Sequence, residues 1–190
     1  SREQSGELVE RLEELGAEAI EAPAMRIAPP ADFGPLDQVC AQAGGYDWIV
    51  FTSANGVEAF MRRLLAGPGD VRSLHGPRLC AVAPGTAERL GRWGIKVDLT
   101  PAEFRADVIL EAIRGVGPID GRSFLLPRAD IPLDVLAGEL RLAGGQVTEV
   151  VAYRRVQESL QRDEDGQDIY RMLLDRQIAS IDTSSFEALR

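Results

Sequence analysis

Lysine is almost missing from this chain of 190 residues: Lys96 stands alone, and 21 basic side chains against 30 acidic ones leave a net charge of −9. With no run of Lys or Arg, sequence-independent nucleic-acid binding loses its electrostatic basis, and no nucleic-acid partner is expected. Histidine is as scarce. His75 is the only one, and it falls in the turn sequence Leu74-His75-Gly76-Pro77, so a solvated loop residue is expected. A Ser-His-Asp triad and a histidine-rich metal centre are thereby disfavoured. Cys40 and Cys80 have neither CxxC spacing nor neighbouring histidines, which leaves a disulfide framework or a zinc site without support. No apolar run approaches the roughly 20 residues of a membrane-spanning helix, and no charged-then-apolar segment opens the chain. A soluble, cytoplasmic protein without membrane contact is the expectation.

Nucleotide signatures are missing too. No GxxxxGK[ST] loop occurs, and Gly115-Val116-Gly117 lacks a third glycine and precedes a turn, so neither nucleotide hydrolysis nor dinucleotide binding is expected. What remains is an average globular composition, 45% hydrophobic and 27% charged, in a length suited to one large domain or two small ones.

Periodicity fills in the architecture. Gln4 to Gly16 carries Leu8, Val9, Leu12 and Leu15 at helical spacing, closed by glycine. Glu18 to Ile27 is strand-like until Pro29-Pro30 breaks it. Tyr46 to Thr52 is an apolar, β-branched and aromatic run that predicts a strand buried on both faces. After Ser53-Ala54-Asn55-Gly56, helical spacing begins at Val57, Phe60, Met61, Leu64 and Leu65. The same unit recurs: a strand over Pro77 to Ala83, a turn at Pro84-Gly85, and a short helix from Thr86. Ile95 to Leu99 predicts a strand, Ala106 to Arg114 a helix, Arg122 to Pro127 a strand and Leu133 to Ala143 a helix. This alternation predicts a parallel α/β sheet.

Gln146 to Val156 then mirrors Glu18 to Ile27 as a long strand-like stretch, and residues between them, roughly 31–145, form a candidate domain. An acidic, polar stretch over Gln157 to Asp168 leads to a helix at Ile169 to Arg176, a strand at Ile178 to Ile181 and the turn Thr183-Ser184-Ser185. The chain starts in a helix without a preceding strand and stops at Arg190 as a helix begins, so a longer natural chain is expected.

Three strand ends share one chemistry: Thr52-Ser53-Ala54-Asn55, Pro84-Gly85-Thr86 and Thr183-Ser184-Ser185. Beyond the carboxyl ends of parallel strands, helix N-termini offer unpaired N–H groups and a positive dipole end, suited to carboxylate or phosphate. Each turn taken alone also reads as ordinary helix capping; the recurrence favours a ligand site. Arg128 follows a buried strand and either reaches that edge to pair with a carboxylate or forms a surface ion pair with Asp130 or Asp134. Tyr153 is either a proton donor in a cleft or a half-buried strand tyrosine.

The segment Phe51-Thr52-Ser53-Ala54-Asn55-Gly56-Val57-Glu58-Ala59-Phe60 resembles that of the uroporphyrinogen-III synthases. Further matches in the same order are Arg2-Glu3-Gln4 leading into Leu8 to Gly16, Pro84-Gly85-Thr86-Ala87 with Leu90 and Gly94, Leu126-Pro127-Arg128, and Val150-Val151-Ala152-Tyr153. The resemblance implies two similar parallel-sheet α/β domains joined by a two-stranded linker. The first would be discontinuous and incomplete here, at 1–28 and 157–190, the second would span 31–145, and 18–30 and 146–156 would be the linker strands.

It also implies an activity: cyclisation of the linear tetrapyrrole hydroxymethylbilane to uroporphyrinogen III, with inversion of ring D and loss of water, in tetrapyrrole biosynthesis and without metal or organic cofactor. Tyr153 would be the proton donor to the departing hydroxyl. Ser53, Ala54, Asn55, Gly85, Thr86, Arg128 and Ser184 would bind a substrate with eight carboxylates. Screening beyond roughly 8 Å lets such local groups outweigh the adverse net charge. Ala83 departs from the family's usual glycine, and Asp182 from the phenylalanine that commonly precedes Thr-Ser. A monomer is expected, with fusion to a methyltransferase domain as one context. The rival readings are a non-catalytic sensor domain of the same fold fused to a DNA-binding module, and a periplasmic-type binding module, which would need an export signal.

Overall fold

A computed structural model describes residues 10–16, 25–131 and 134–157, with the side chain of residue 134 excepted. The chain separates into two compact units, residues 1–27 with 155–190, and Ala28–Arg154. Of the first unit, residues 10–14 are helical. Residues 18–24 of the strand expected over Glu18 to Ile27, residues 4–9 of the helix expected over Gln4 to Gly16, and every element expected after Gln157 lie outside the described residues.

Alternation of strand and helix builds the second unit. Its strands are β2 (Trp48–Phe51), β3 (Arg78–Ala81), β4 (Ser123–Ala129) and β5 (Gln146–Gln157), the last running past Arg154. With β1 (Met25–Ala28), they form a sheet ordered β1-β5-β4-β2-β3 among the described residues. Pairing is parallel from β3 through β2 and β4 to β5. Strand β2 is paired on both sides, by β3 and by β4, and all four of its residues are buried. That is why the sequence there is continuously apolar instead of alternating. Most of the stretch 146–156 pairs along β4, from Gln146 opposite Ser123 to Tyr153 opposite Ala129.

Five helices connect and cover the strands: α1 (Gly34–Ala41), α2 (Ala54–Ala66), α3 (Pro84–Gly91), α4 (Ala106–Val116) and α5 (Asp134–Leu142). Helix α1 escapes the periodicity reading because it is short and follows a Pro-rich break. Its signal is nevertheless present: Pro35 in the first turn, and buried Leu36, Val39 and Cys40 at spacings of three and four.

The expected strand at Ile95 to Leu99 is corrected to a single bridge, Leu99 opposite Cys80. Asp98 is the reason. Its Oδ2 accepts the Leu79 N–H at 2.7 Å, so a side chain takes a donor at the sheet edge in place of backbone.

Each sheet face packs its own layer. Trp48, Val50, Cys80, Val82, Phe124 and Leu126 form one core with Ile109, Leu110 and Ile113 of α4 and Leu136, Ala137 and Leu140 of α5. On the other face Phe51 meets Phe60 of α2 edge-on, at 5.5 Å between ring centroids. Each fully buried side chain of this size contributes about 1.5–3 kcal/mol. Cys40 and Cys80 are free and buried, and burial pushes both thiols up to about 12, with Asp37 adding to the effect at Cys40. They are packing groups, and His75 is an exposed loop residue as expected.

Candidate functional site

The carboxyl ends of β2, β3 and β5 bring Ser53, Ala54, Asn55, Gly85, Thr86 and Tyr153 to one edge of the sheet. After β2, Ser53 takes an extended conformation (φ −155°, ψ 150°) and caps α2, its Oγ accepting the Gly56 N–H at 3.0 Å. Val57 N–H goes to the Ser53 carbonyl. The N–H groups of Ala54 and Asn55 precede the first intrahelical bonds and face the turn. Ser53, Ala54 and Asn55 are half-buried.

Tyr153 reaches this turn from β5, across the end of β4. Its Oη lies 3.0 Å from Ser53 Oγ, and the residue is 6% exposed. A register shift makes this possible. Arg128 pairs with Val151 but Ala129 pairs with Tyr153, so β5 carries one extra residue. Val147 packs against the core under α4 and α5, and plain alternation through Glu149 and Val151 would turn Tyr153 to that same face. The bulge re-aims it toward α2.

Gly56 completes the approach. A Cβ there would lie 3.2 Å from the Pro127 carbonyl oxygen and from Ser53 Oγ, and 3.9 Å from Tyr153 Cε1. Glycine costs a helix about 1 kcal/mol relative to alanine, yet here it lets helix, strand end and phenol meet. Gly56 was absent from the sequence-derived site. Its signal is a glycine between the N-cap and the apolar stripe of a helix.

The turn after β3 works differently. Ala83 has φ 79° and ψ 149°, a region that glycine populates and that costs other residues about 1–3 kcal/mol. This is the position where the resemblance calls for glycine. The Ala83 carbonyl accepts from Thr86 and Ala87 N–H, and no side chain caps α3. Thr86 is 4% exposed, so it fills the turn from within. Gly85 is exposed, with open space where a Cβ would stand. Glu58 of α2 ties the two turns together by pairing with Arg89 of α3 at 3.3 Å and with Arg62 at 2.5 Å. Burial pushes the Glu58 carboxyl up, but the hydrogen bonds from Arg62 and Arg89 outweigh it and hold the group below its ordinary value.

Arg128 stands apart. It shares the face of Phe124 and Leu126, under α5. Arg128 pairs with Glu149: Nε lies 2.9 Å from Oε2, an ion pair by distance whose N–H is not aligned for a hydrogen bond; the Asp134 side chain lies outside the described residues. Nη1 donates to the Ala129 carbonyl at 2.8 Å, and Glu149 also accepts from Arg141 at 2.9 Å. Ser184 lies outside the described residues. No group of three or more potential metal-ligating side chains occurs among the described residues, nor does a helix long and apolar enough to cross a membrane.

Strands joined by helices in a mostly parallel sheet, with hydroxyls and helix N-termini beyond its carboxyl ends, define an α/β protein of the open-sheet class. Similarity to known proteins narrows the class. The family model described as uroporphyrinogen-III synthase HemD matches residues 6–186, and the chain belongs to that family. It is 34% identical over 154 residues to uroporphyrinogen-III synthase of Synechococcus elongatus, covering 79% of this chain and 56% of that protein. Against a putative uroporphyrinogen-III synthase of Methanothermobacter thermautotrophicus it is 33% identical over 155 residues, covering 80% and 58%. The chain thus spans less than two thirds of either relative. A crystal structure of a mutant uroporphyrinogen III synthase from Thermus thermophilus superposes with a TM-score of 0.61 at 19% identity, covering 82% of this chain and 60% of that one, a likeness of fold.

Proposed function

We propose that this chain carries uroporphyrinogen-III synthase activity, cyclising hydroxymethylbilane with inversion of ring D and loss of water. The observation that carries the reading is the hydroxyl pair at the carboxyl edge, Tyr153 Oη at 3.0 Å from Ser53 Oγ on the N-terminus of a 13-residue helix. Tyr153 donates its proton to the hydroxymethyl oxygen, and the C–O bond breaks as water leaves. The pyrrole nitrogen gives up its proton as the azafulvene forms, and that proton, carried back by water to the Tyr153 phenolate, restores the phenol, so atoms and charge balance. The amides of Ala54, Asn55 and Gly85 take substrate carboxylates, favoured by the positive ends of α2 and α3. Thr86 holds its turn from within. Arg128 and Ser184 are further carboxylate contacts in this proposal.

Holding geometry is the catalytic task, because the same intermediate closes unaided to the uninverted isomer. The finer organisation belongs to this proposal as well: two similar α/β domains, the first discontinuous, joined by two strands, in a cytoplasmic monomer acting on a small molecule. The test is incubation of the full-length protein with freshly generated hydroxymethylbilane and chromatographic separation of the oxidised isomers. Type III product supports the reading. Type I alone, at the spontaneous rate, overturns it.

A further inference from the structure

We propose that Ser53 acts on the reaction through Tyr153, as a positioning residue, instead of gripping substrate. The inference rests on the function proposed above and assigns one residue of that site a different part. Ser53 Oγ has one proton and two lone pairs. One lone pair is committed to the Gly56 N–H at 3.0 Å, and Tyr153 Oη occupies the next position at 3.0 Å. With both places filled, the hydroxyl has little left for a carboxylate.

The direction of the Ser53–Tyr153 hydrogen bond follows from the chemistry. A phenol that gives its proton to a leaving oxygen must keep that proton out of the bond to Ser53, so Ser53 donates and Tyr153 Oη accepts. Once the proton has gone, donation from Ser53 is the only arrangement the phenolate permits. The N-terminus of α2 stands behind the serine, and its dipole favours negative charge developing on the oxygen in front of it. Gly56 serves twice, as donor to Ser53 and as the residue without a Cβ beside the Tyr153 ring.

A mutant cycle in the full-length protein tests this with Ser53→Gly, Tyr153→Phe and the double variant. Glycine is a tolerated N-cap that weakens the helix far less than alanine does, so folding is kept. Ser53→Gly is expected to lower kcat about tenfold, the worth of one hydrogen bond, with KM unchanged. The double variant is expected to be no slower than Tyr153→Phe alone, and Ser53→Thr to restore most of the rate. A raised KM, multiplying effects in the double variant, or full activity of Ser53→Gly would each overturn the proposal.

A second readout stands apart from catalysis. With tyrosine labelled at 13Cζ, the Tyr153 resonance, assigned by its loss in Tyr153→Phe, is expected to shift in Ser53→Gly. An unmoved resonance overturns the inference. Wild-type protein that yields only type I isomer overturns the functional reading, while the resonance still reports on the Ser53 bond.

Discussion

The two edges of the central sheet use polar groups differently. At the amino edge, Asp47 accepts from Ser123 N–H and Ser123 Oγ, each at 2.8 Å, and from Arg122 at 2.8 Å. Its own N–H donates to Ser123 Oγ, and Arg78 N–H goes to its carbonyl. Those groups satisfy one another and lock β2, β3 and β4 in register. At the carboxyl edge, Ser53 and Tyr153 hold each other while the first amides of α2 face the turn, and Ala83 keeps a strained backbone. One edge is closed by mutual hydrogen bonding; the other is the edge at which substrate binding is proposed. The same side-chain types satisfy one another at both edges, but only at the carboxyl edge do they sit beside helix amides that precede the first intrahelical bonds.

Variants that separate the edges follow, in descending order of effect. Tyr153→Phe is expected to lower kcat for type III product about 100-fold, near the lower end of what general-acid catalysis supplies, with a thermal midpoint close to wild type. Steady-state kinetics beside a melting curve checks it. A variant of full activity would leave the tyrosine a packing residue and dissolve the contrast.

Asp47→Asn should do the reverse, costing about 1–2 kcal/mol of stability through charged hydrogen bonds at a partly exposed site while turnover persists. The Ser123 N–H, first among the causes, holds the Asp47 carboxyl below its ordinary value against the opposing effect of burial, with Ser123 Oγ and Arg122 adding to it. A depressed carboxyl stabilises the fold above its unfolded value of about 3.9 and stops doing so as pH falls through its lower folded value. Urea melts across this range are therefore expected to show a shallower acid limb for the variant than for wild type.

Ala83→Gly relieves the positive φ. Relief of about 1–3 kcal/mol less the backbone entropy that glycine adds to the unfolded chain, about 0.4–1 kcal/mol, predicts a net gain near 1 kcal/mol by chemical denaturation. Loss of stability would show that the turn holds its shape without strain. Glu58→Gln is expected to have the smallest effect, about 0.5 kcal/mol, because Glu58 is partly exposed and such pairs contribute little. A matching fall in type III yield would show that the Glu58–Arg89 pair also aligns the two turns.

Much of the fold could be read before any coordinates. The buried run Trp48 to Phe51, the Ser53 cap and the alternation through β5 follow from apolar periodicity and turn chemistry, which are local. Helix α1 was hidden by the Pro-rich break before it, and the strand expected at 95–99 reduced to one bridge because Asp98 competes for a ladder donor. In the site, Ser53 and Tyr153 are each legible from local sequence, but their bond is not, since 100 positions separate them. Gly56 has only a weak local signal, its place between an N-cap and an apolar stripe, and Glu149 has none, because a carboxylate that holds an arginine is defined by strand pairing.

The amino-acid sequence alone settled the α/β class, the places where strands end in polar turns and the family resemblance, because hydrophobic period and capping residues act over a few neighbours. Only the folded chain decided that Tyr153 turns to α2 and Arg128 to the opposite face. One extra residue in β5 reverses which way the tyrosine points, and such a bulge is defined solely by the pairing of two strands.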